Sequence, residues 1–345
     1  MFTPATFTPE SVLVYVGLDR VGDALLKLPF VRGLRQRFPG ARITWVAGRD
    51  TSVYASVMKP VVAGLIDEVI EKADLGLHPR ELLGRSLGGR RFDLIIDTQR
   101  VGLASLILWR IPHQRFISPF GQFMLSSRRP PRGYRFPKLM VRQLLDLLEL
   151  AGDHQVPTPA TIEITIDDAL DQAAASLLPP GPVYVGFAPG AGGRPKCWPL
   201  DRFVAAAKAG TERGRVPVFL IGPQELDWVE PLRSALPGAL FPLQVEGMRE
   251  RFGFSPLFTI ALGRRLAASL SNDSGVGHML AASGTPLVSL FGPTSPQKFT
   301  PMTRDLTILS AQTWGGRDMS LIPVAAVVEA MEQTLRGQGI ALEQG

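Results

Sequence analysis

The 345 residues carry 45% hydrophobic and 20% charged side chains, which excludes an intrinsically disordered chain and leaves room for two domains with separate cores. The single cysteine, Cys197, excludes an internal disulfide and a cysteine-based metal cluster. The formal net charge is +6. No apolar run nears the roughly 18 residues of a spanning helix, and the start lacks the basic flank and apolar core of a signal peptide, so a cytoplasmic protein is expected.

Residues 12–16 are an apolar run typical of a first buried parallel strand. The run ends in Gly17-Leu18-Asp19-Arg20-Val21-Gly22-Asp23, after which Ala24, Leu25, Leu28, Val31 and Leu34 recur at helical spacing. Asp23 therefore falls where a strand's C-terminal end meets a helix start, the edge at which open α/β sheets hold ligands. From this stretch alone it fits a catalytic carboxylate or a simple helix cap.

Further strands are expected at 43–46, 65–70, 94–96 and 115–117, with helix-length segments between them, which argues a parallel sheet covered on both faces. Asp97-Thr98-Gln99 ends the strand at 94–96. From residue 98 to 145 there is no acid, while Arg100, Arg110, Arg115, Arg128, Arg129, Arg132, Arg135, Lys138 and Arg142 contribute nine positive charges. Nine against a net of +6 leaves the rest of the chain net negative by three. Interleaved with Trp109, Phe116, Phe120, Phe123, Tyr134 and Phe136, the block suits an anionic glycolipid, a membrane surface or nucleic acid; a solvated basic face is the plainer alternative. Residues 119–136 are expected to form a mobile loop.

A helix at 139–150 leads into a linker at 151–161, placing the domain boundary at 157. A second α/β series begins with a strand at 183–187. It runs into Ala188-Pro189-Gly190-Ala191-Gly192-Gly193-Arg194-Pro195-Lys196-Cys197-Trp198-Pro199 and a helix at 200–209. A glycine loop with a lysine can wrap a diphosphate, or it can be an ordinary loop with a surface lysine; the Walker order is missing. A strand at 218–221, a helix at 255–262 and a strand at 267–270 follow. That strand meets Ser271-Asn272-Asp273-Ser274-Gly275-Val276-Gly277-His278, where a helix begins, and a further strand is expected after it, before the loop Gly292-Pro293-Thr294. Free N–H groups and the positive end of the helix dipole attract anions there, though an ordinary capped corner would look the same. Gly275 and Gly277 would let a phosphate approach, and His278 would lie in the first turn. No Asp-x-Asp triplet occurs, so no metal-diphosphate clamp is expected. A final amphipathic helix is expected near 322–338.

Asn272-Asp273-Ser274-Gly275-x-x-His278, followed by Gly284-Thr285-Pro286 and Phe291-Gly292-Pro293-Thr294, resembles the donor-binding signature of family 9 glycosyltransferases, the lipopolysaccharide heptosyltransferases. Three further elements are similar to the same family: Arg20-x-Gly22-Asp23, Asp97-x-Gln99, and Pro189-Gly190-Ala191 with Lys196-x-Trp198-Pro199. The resemblance implies a GT-B fold, in which two Rossmann-like domains, 1–157 and 158–345, face a central cleft and the final helix packs back across both. It implies inverting transfer of heptose from ADP-heptose to a lipopolysaccharide inner-core acceptor of the lipid A–Kdo type, with no cofactor and no metal. Asp23 becomes the catalytic base. Gly190, Ala191, Lys196, Asp273, Ser274, Gly275, Val276 and His278 become the donor site. Arg20, Gly22, Asp97, Gln99, Arg128, Arg129 and Arg132 become the acceptor site. The partner is then an anionic glycolipid at the cytoplasmic face of the inner membrane, reached by peripheral contact, and not nucleic acid. The family often has a lysine shortly after Asp-x-Gln, and residues 101–104 have none. A sugar-nucleotide epimerase and another nucleotide-sugar transferase share such an architecture, and so would a protein that binds the donor without turning it over. A dehydrogenase is disfavoured because no Gly-x-Gly-x-x-Gly follows the first strand.

Overall fold

The computed structural model describes residues 7–340; residues 1–6, part of the start weighed above as a signal peptide, and 341–345 lie outside it. Contacts divide the chain into two units, 1–159 and 160–345, where the sequence placed the boundary at 157. Each is an α/β unit built on a five-stranded sheet of parallel pairs. Parallel strands are covered on both faces, so their sequences are nearly continuous apolar runs.

In the first unit the order is β1 (Ser11–Val16), α1 (Val21–Arg37), β2 (Arg42–Ala47), β3 (Glu68–Ile70), β4 (Phe92–Asp97), α2 (Gly102–Trp109), β5 (His113–Ile117) and α3 (Met140–Gly152). The strands lie side by side as β3-β2-β1-β4-β5. Strand β3 takes only the second half of the expected 65–70, because the N–H groups of Leu65 and Ile66 turn back to the Val62 carbonyl. The stretch 119–136 has no regular structure, yet it is tied down. Phe123, Tyr134 and Phe136 pack ring on ring, Arg100 caps Phe136 at 4.3 Å, and Ser126 and Ser127 bond back to the edge of β5.

The second unit contains α4 (Asp168–Leu177), β6 (Tyr184–Ala188), α5 (Leu200–Thr211), β7 (Val216–Phe219), α6 (Val229–Ala235), α7 (Glu246–Phe252), α8 (Pro256–Gly263), β8 (Ala268–Asn272), α9 (Gly275–Ser283), β9 (Leu287–Phe291), β10 (Leu306–Ser310) and α10 (Val324–Gly337). Its strands run β10-β9-β8-β6-β7. A parallel bridge between Val218 and Leu240 adds a vestigial strand beyond β7. With that bridge counted, both units follow the same Rossmann order, in which the direction of winding reverses between the first strand and the fourth. The reversal lies between β1 and β4 in the first unit and between β6 and β8 in the second. Strand β10 went unread because, as an edge strand, it is only partly buried and carries no continuous apolar run. Helix α10 packs on α5 and along β8, β9 and β10, and its Glu332 forms a bidentate, buried pair with Arg215.

Candidate active site

All four segments picked out by sequence emerge at these reversals, where the C-terminal ends of two neighbouring strands splay apart and their helices leave on opposite faces.

After β1 the chain makes a short turn and enters α1 with Arg20, exposed, at the N-cap. Two aspartates of this turn have opposite fates. Asp19 is 2% exposed. Its carboxylate accepts from the indole Nε1 of Trp45 at 2.7 Å and from Ser52 Oγ at 2.9 Å, and it pairs with the buried ammonium of Lys27. A buried charge needs such partners, since an uncompensated one costs several kcal/mol. Asp23, one helical turn on, is half-buried in the first turn of α1, and its side chain has no hydrogen bond or ion pair among the described residues. Gly22 is buried beside it. Asp19 is therefore the anchor of the turn and Asp23 its free carboxylate. Apolar spacing alone did not separate them; the resemblance of Arg20-x-Gly22-Asp23 singled out Asp23, and folding shows what Asp19 does instead.

Asp97 closes β4 and is wholly buried. It accepts from Ser105 Oγ at 2.5 Å, Ser118 Oγ at 2.8 Å and the Gln99 backbone N–H at 2.8 Å. Burial raises its pKa to about 6 against the pull of those donors. Asp97 is thus sequestered from any acceptor. It fixes the backbone at Gln99, whose side-chain Nε2 donates to Thr98 Oγ1 at 3.1 Å and whose Oε1 lies 3.4 Å from where a Cβ on Gly17 would stand, just past the end of β1.

The basic block changes character once folded. Arg115 and Arg128 both reach Asp153, at 3.2 and 3.4 Å, and Arg142 pairs with Asp146 and Glu149 at 2.6 Å each. Asp153 caps the C-terminus of α3, which is pinned to the last turn of α1 by Arg37 and the Gly152 carbonyl at 2.9 Å. Helix α1 ends at the N-terminal edge of the sheet, so the Asp153 contact draws Arg128 toward the edge opposite Asp23. Arg129 donates to the Met124 carbonyl at 3.1 Å, and Arg132 is exposed.

In the second unit, folding joins the two donor segments. The buried side chain of Asn272, at the end of β8, staples both ends of the glycine loop. Its Oδ1 accepts from the Trp198 amide at 3.0 Å and its Nδ2 donates to the Pro189 carbonyl at 2.7 Å. Across 77 residues of sequence Lys196 Nζ comes to 3.4 Å from Asp273 Oδ2, which also accepts from Thr294 Oγ1 at 2.6 Å. The lysine is thereby held beside the start of α9. Ser274 caps that helix by accepting from Gly277 N–H at 3.2 Å, which leaves the N–H groups of Gly275 and Val276 for an anion. Gly277 must be glycine, because a Cβ there would stand 2.6 Å from Ser271 Oγ. His278 is buried in the same turn, 7% exposed.

Glu225, which sequence reasoning passed over, presses its carboxylate against the glycine loop. A Cβ on Gly190 would meet it at 2.7 Å and one on Gly222 at 3.0 Å. It accepts from the backbone N–H of Ala191, and burial raises its pKa despite the nearby Arg194. Arg194 is held by Asp227 at 3.0 Å and lies 4.2 Å over the Trp228 ring. Burial also raises the pKa of the Cys197 thiol, which disfavours the thiolate. Among the described residues no cluster of three or more His, Cys, Asp or Glu side chains could hold a metal.

A sequence profile of glycosyltransferase family 9 (heptosyltransferase) matches residues 80–321, more than half of the chain, including Asp97, Lys196 and the start of α9. The chain belongs to this family. It is thus a glycosyltransferase. It is 24% identical over 314 residues to lipooligosaccharide heptosyltransferase 2 of Haemophilus influenzae, covering 86% of this chain and 88% of that one. Its fold is that of a family 9 glycosyl transferase from Veillonella parvula, with TM-score 0.70, 22% identity, and 95% and 97% of the two chains covered. It is also that of ADP-heptose lps heptosyltransferase II of E. coli, with TM-score 0.66, 21% identity, and 95% and 99% covered. The two Rossmann-like units are those of the GT-B fold.

Proposed function

We propose that this glycosyltransferase moves heptose from ADP-heptose to the inner core of a lipopolysaccharide acceptor of the lipid A–Kdo type, with inversion at the anomeric carbon. The observation that carries the reading is the second unit's reversal, where Lys196, free N–H groups and a capped helix start converge as a diphosphate cradle. The relatives, named as heptosyltransferases that act in lipopolysaccharide or lipooligosaccharide synthesis, supply the sugar and the acceptor class.

A nucleoside diphosphate is already a good leaving group, so the chain needs no general acid of the kind a glycosidase uses. Asp23, the free carboxylate of the first unit, takes the proton of the acceptor hydroxyl as that oxygen attacks the anomeric carbon. As the bond to the diphosphate breaks, negative charge grows on the leaving oxygen. Lys196 and the N–H groups of Gly275 and Val276 stabilise it, with His278 behind them. Arg20, three residues before Asp23, and Gln99, near Gly17 at the end of β1, together with Arg129 and Arg132, receive the anionic acceptor. The protein works at the cytoplasmic face of the inner membrane by peripheral contact, without a metal, and EDTA is expected to leave its activity intact.

The test is ADP release from ADP-heptose with and without a Kdo-bearing acceptor, with the product's anomeric configuration read by NMR. Acceptor-dependent release with inversion is expected. An epimeric ADP-sugar formed without acceptor and without net ADP release would point to an epimerase, and tight donor binding without any turnover to a binding protein.

A further inference from the structure

We infer that helix α2 and the segment beside it form the face by which this enzyme rests on anionic lipid. This names the contact surface for the peripheral membrane association proposed above and rests on that reading. Within Gly102–Trp109 the one polar side chain is Ser105, and it turns inward to Asp97. The outer face is apolar as well. Leu106 is 40% and Trp109 48% exposed. A helix that is apolar all round is ordinarily buried in a core or in lipid, and large apolar groups exposed together mark a contact surface.

The neighbouring 3-10 turn (Pro79–Leu82) packs against α2, and Leu83, the next residue, is 90% exposed. Arg110 and Arg85 line one surface cavity of about 390 Å³ between these segments. What covers this face must be apolar and negatively charged at its rim. Arg85 and Arg110 supply cations, and no acid occurs from residue 98 to 145. Between residues 79 and 92 the only acid is Glu81, whose oxygens are taken by the N–H groups of Gly76, Leu77 and His78. Tryptophan and leucine flanked by arginine suit the headgroup boundary of an anionic bilayer, where the indole and the aliphatic groups enter and the guanidinium groups meet phosphates. A second protein surface, including a second copy of this chain, would have to bring its own matching acids.

Flotation of the full chain with phosphatidylcholine vesicles, with and without phosphatidylglycerol, tests this in the absence of donor and acceptor. Binding that requires phosphatidylglycerol is expected, together with quenching of Trp109 emission by brominated lipid. The double variant Leu106→Ser/Trp109→Ser should bind about tenfold more weakly or worse. Arg85→Ser and Arg110→Ser should each lose about fivefold. Turnover of a deacylated, water-soluble acceptor should stay at the wild-type level in all of them, which also shows that they fold. The inference is overturned if the wild type ignores anionic vesicles, or if the double variant binds them as well as wild type. It is equally overturned if Trp109 is buried by self-association without lipid, or if duplex DNA competes the protein off the vesicles at equal ionic strength. Failure of heptosyl transfer with vesicle binding intact would instead sink the proposed reaction and leave this surface standing.

Discussion

At the strand reversal of the first unit carboxylates predominate beside the exposed Arg20: Asp19 locked to Lys27, Trp45 and Ser52, Asp97 buried under Ser105 and Ser118 with the Gln99 side chain nearby, and Asp23 free. At the reversal of the second unit the groups offered outward are donors: Lys196 and the first N–H groups of α9, held in place by Asn272, Asp273 and Thr294. The strand order is the same, so topology decides where a ligand goes but not what it is. The chemistry comes from which acids have been neutralised by neighbours. In the first unit one carboxylate is left over to accept a proton. In the second, Asp273 at the helix start serves to aim a cation.

The sharpest way to break this contrast is at Asp23. Asp23→Asn is expected to cut turnover by about 10²-fold or more, the range for a lost general base, with nucleoside diphosphate affinity unchanged. Asp19→Asn should behave differently, losing about 3–5 kcal/mol of stability because the buried ammonium of Lys27 is stranded. If the two variants had the same phenotype in turnover and in melting, the division into free and locked carboxylates would be wrong.

On the donor side, Lys196→Ala should weaken nucleoside diphosphate binding by about 1–3 kcal/mol, the value of a charged hydrogen bond, and nucleoside binding hardly at all. Calorimetric titration with both ligands reads the difference. Equal losses would place the diphosphate elsewhere.

Asp97 allows a smaller effect to be read against pH. Folding raises its pKa to about 6, so the folded chain holds this proton more tightly than the unfolded one. Stability from this group is therefore fully present below about pH 4 and is lost as the pH rises toward 6, by at most about 3 kcal/mol. Asp97→Asn should remove that loss. The melting temperature of the variant relative to wild type is then expected to rise from pH 4 to pH 7, and a constant difference would show that the carboxyl ionises freely. The smallest effect is expected from Arg129→Ser/Arg132→Ser, which should raise the acceptor KM a few-fold in low salt and less in high salt, leaving donor binding alone.

Most of the fold was legible in the sequence, because parallel strands buried on both faces write themselves as short apolar runs. Nine of the strands carried such a run, β9 among them, whereas the edge strand β10 is only partly buried and carried none. The turns that matter were legible too, since a cap residue, a glycine and the end of an apolar run leave a local mark at Asp23, Pro189 and Ser274. What the sequence could not hold was the pairing of groups distant along the chain. That Lys196 meets Asp273, that Glu225 needs glycine at 190 and 222, and that Asn272 closes the loop at both ends follow only from strand order, which sets segments tens of residues apart side by side. The same holds for charge. Counted along the sequence, the block from 98 to 145 is nine cations and no acid. In the fold, Asp146, Glu149 and Asp153 return from α3 and its end to neutralise Arg115, Arg128 and Arg142, because Coulomb attraction depends on distance in space and takes no account of distance along the chain.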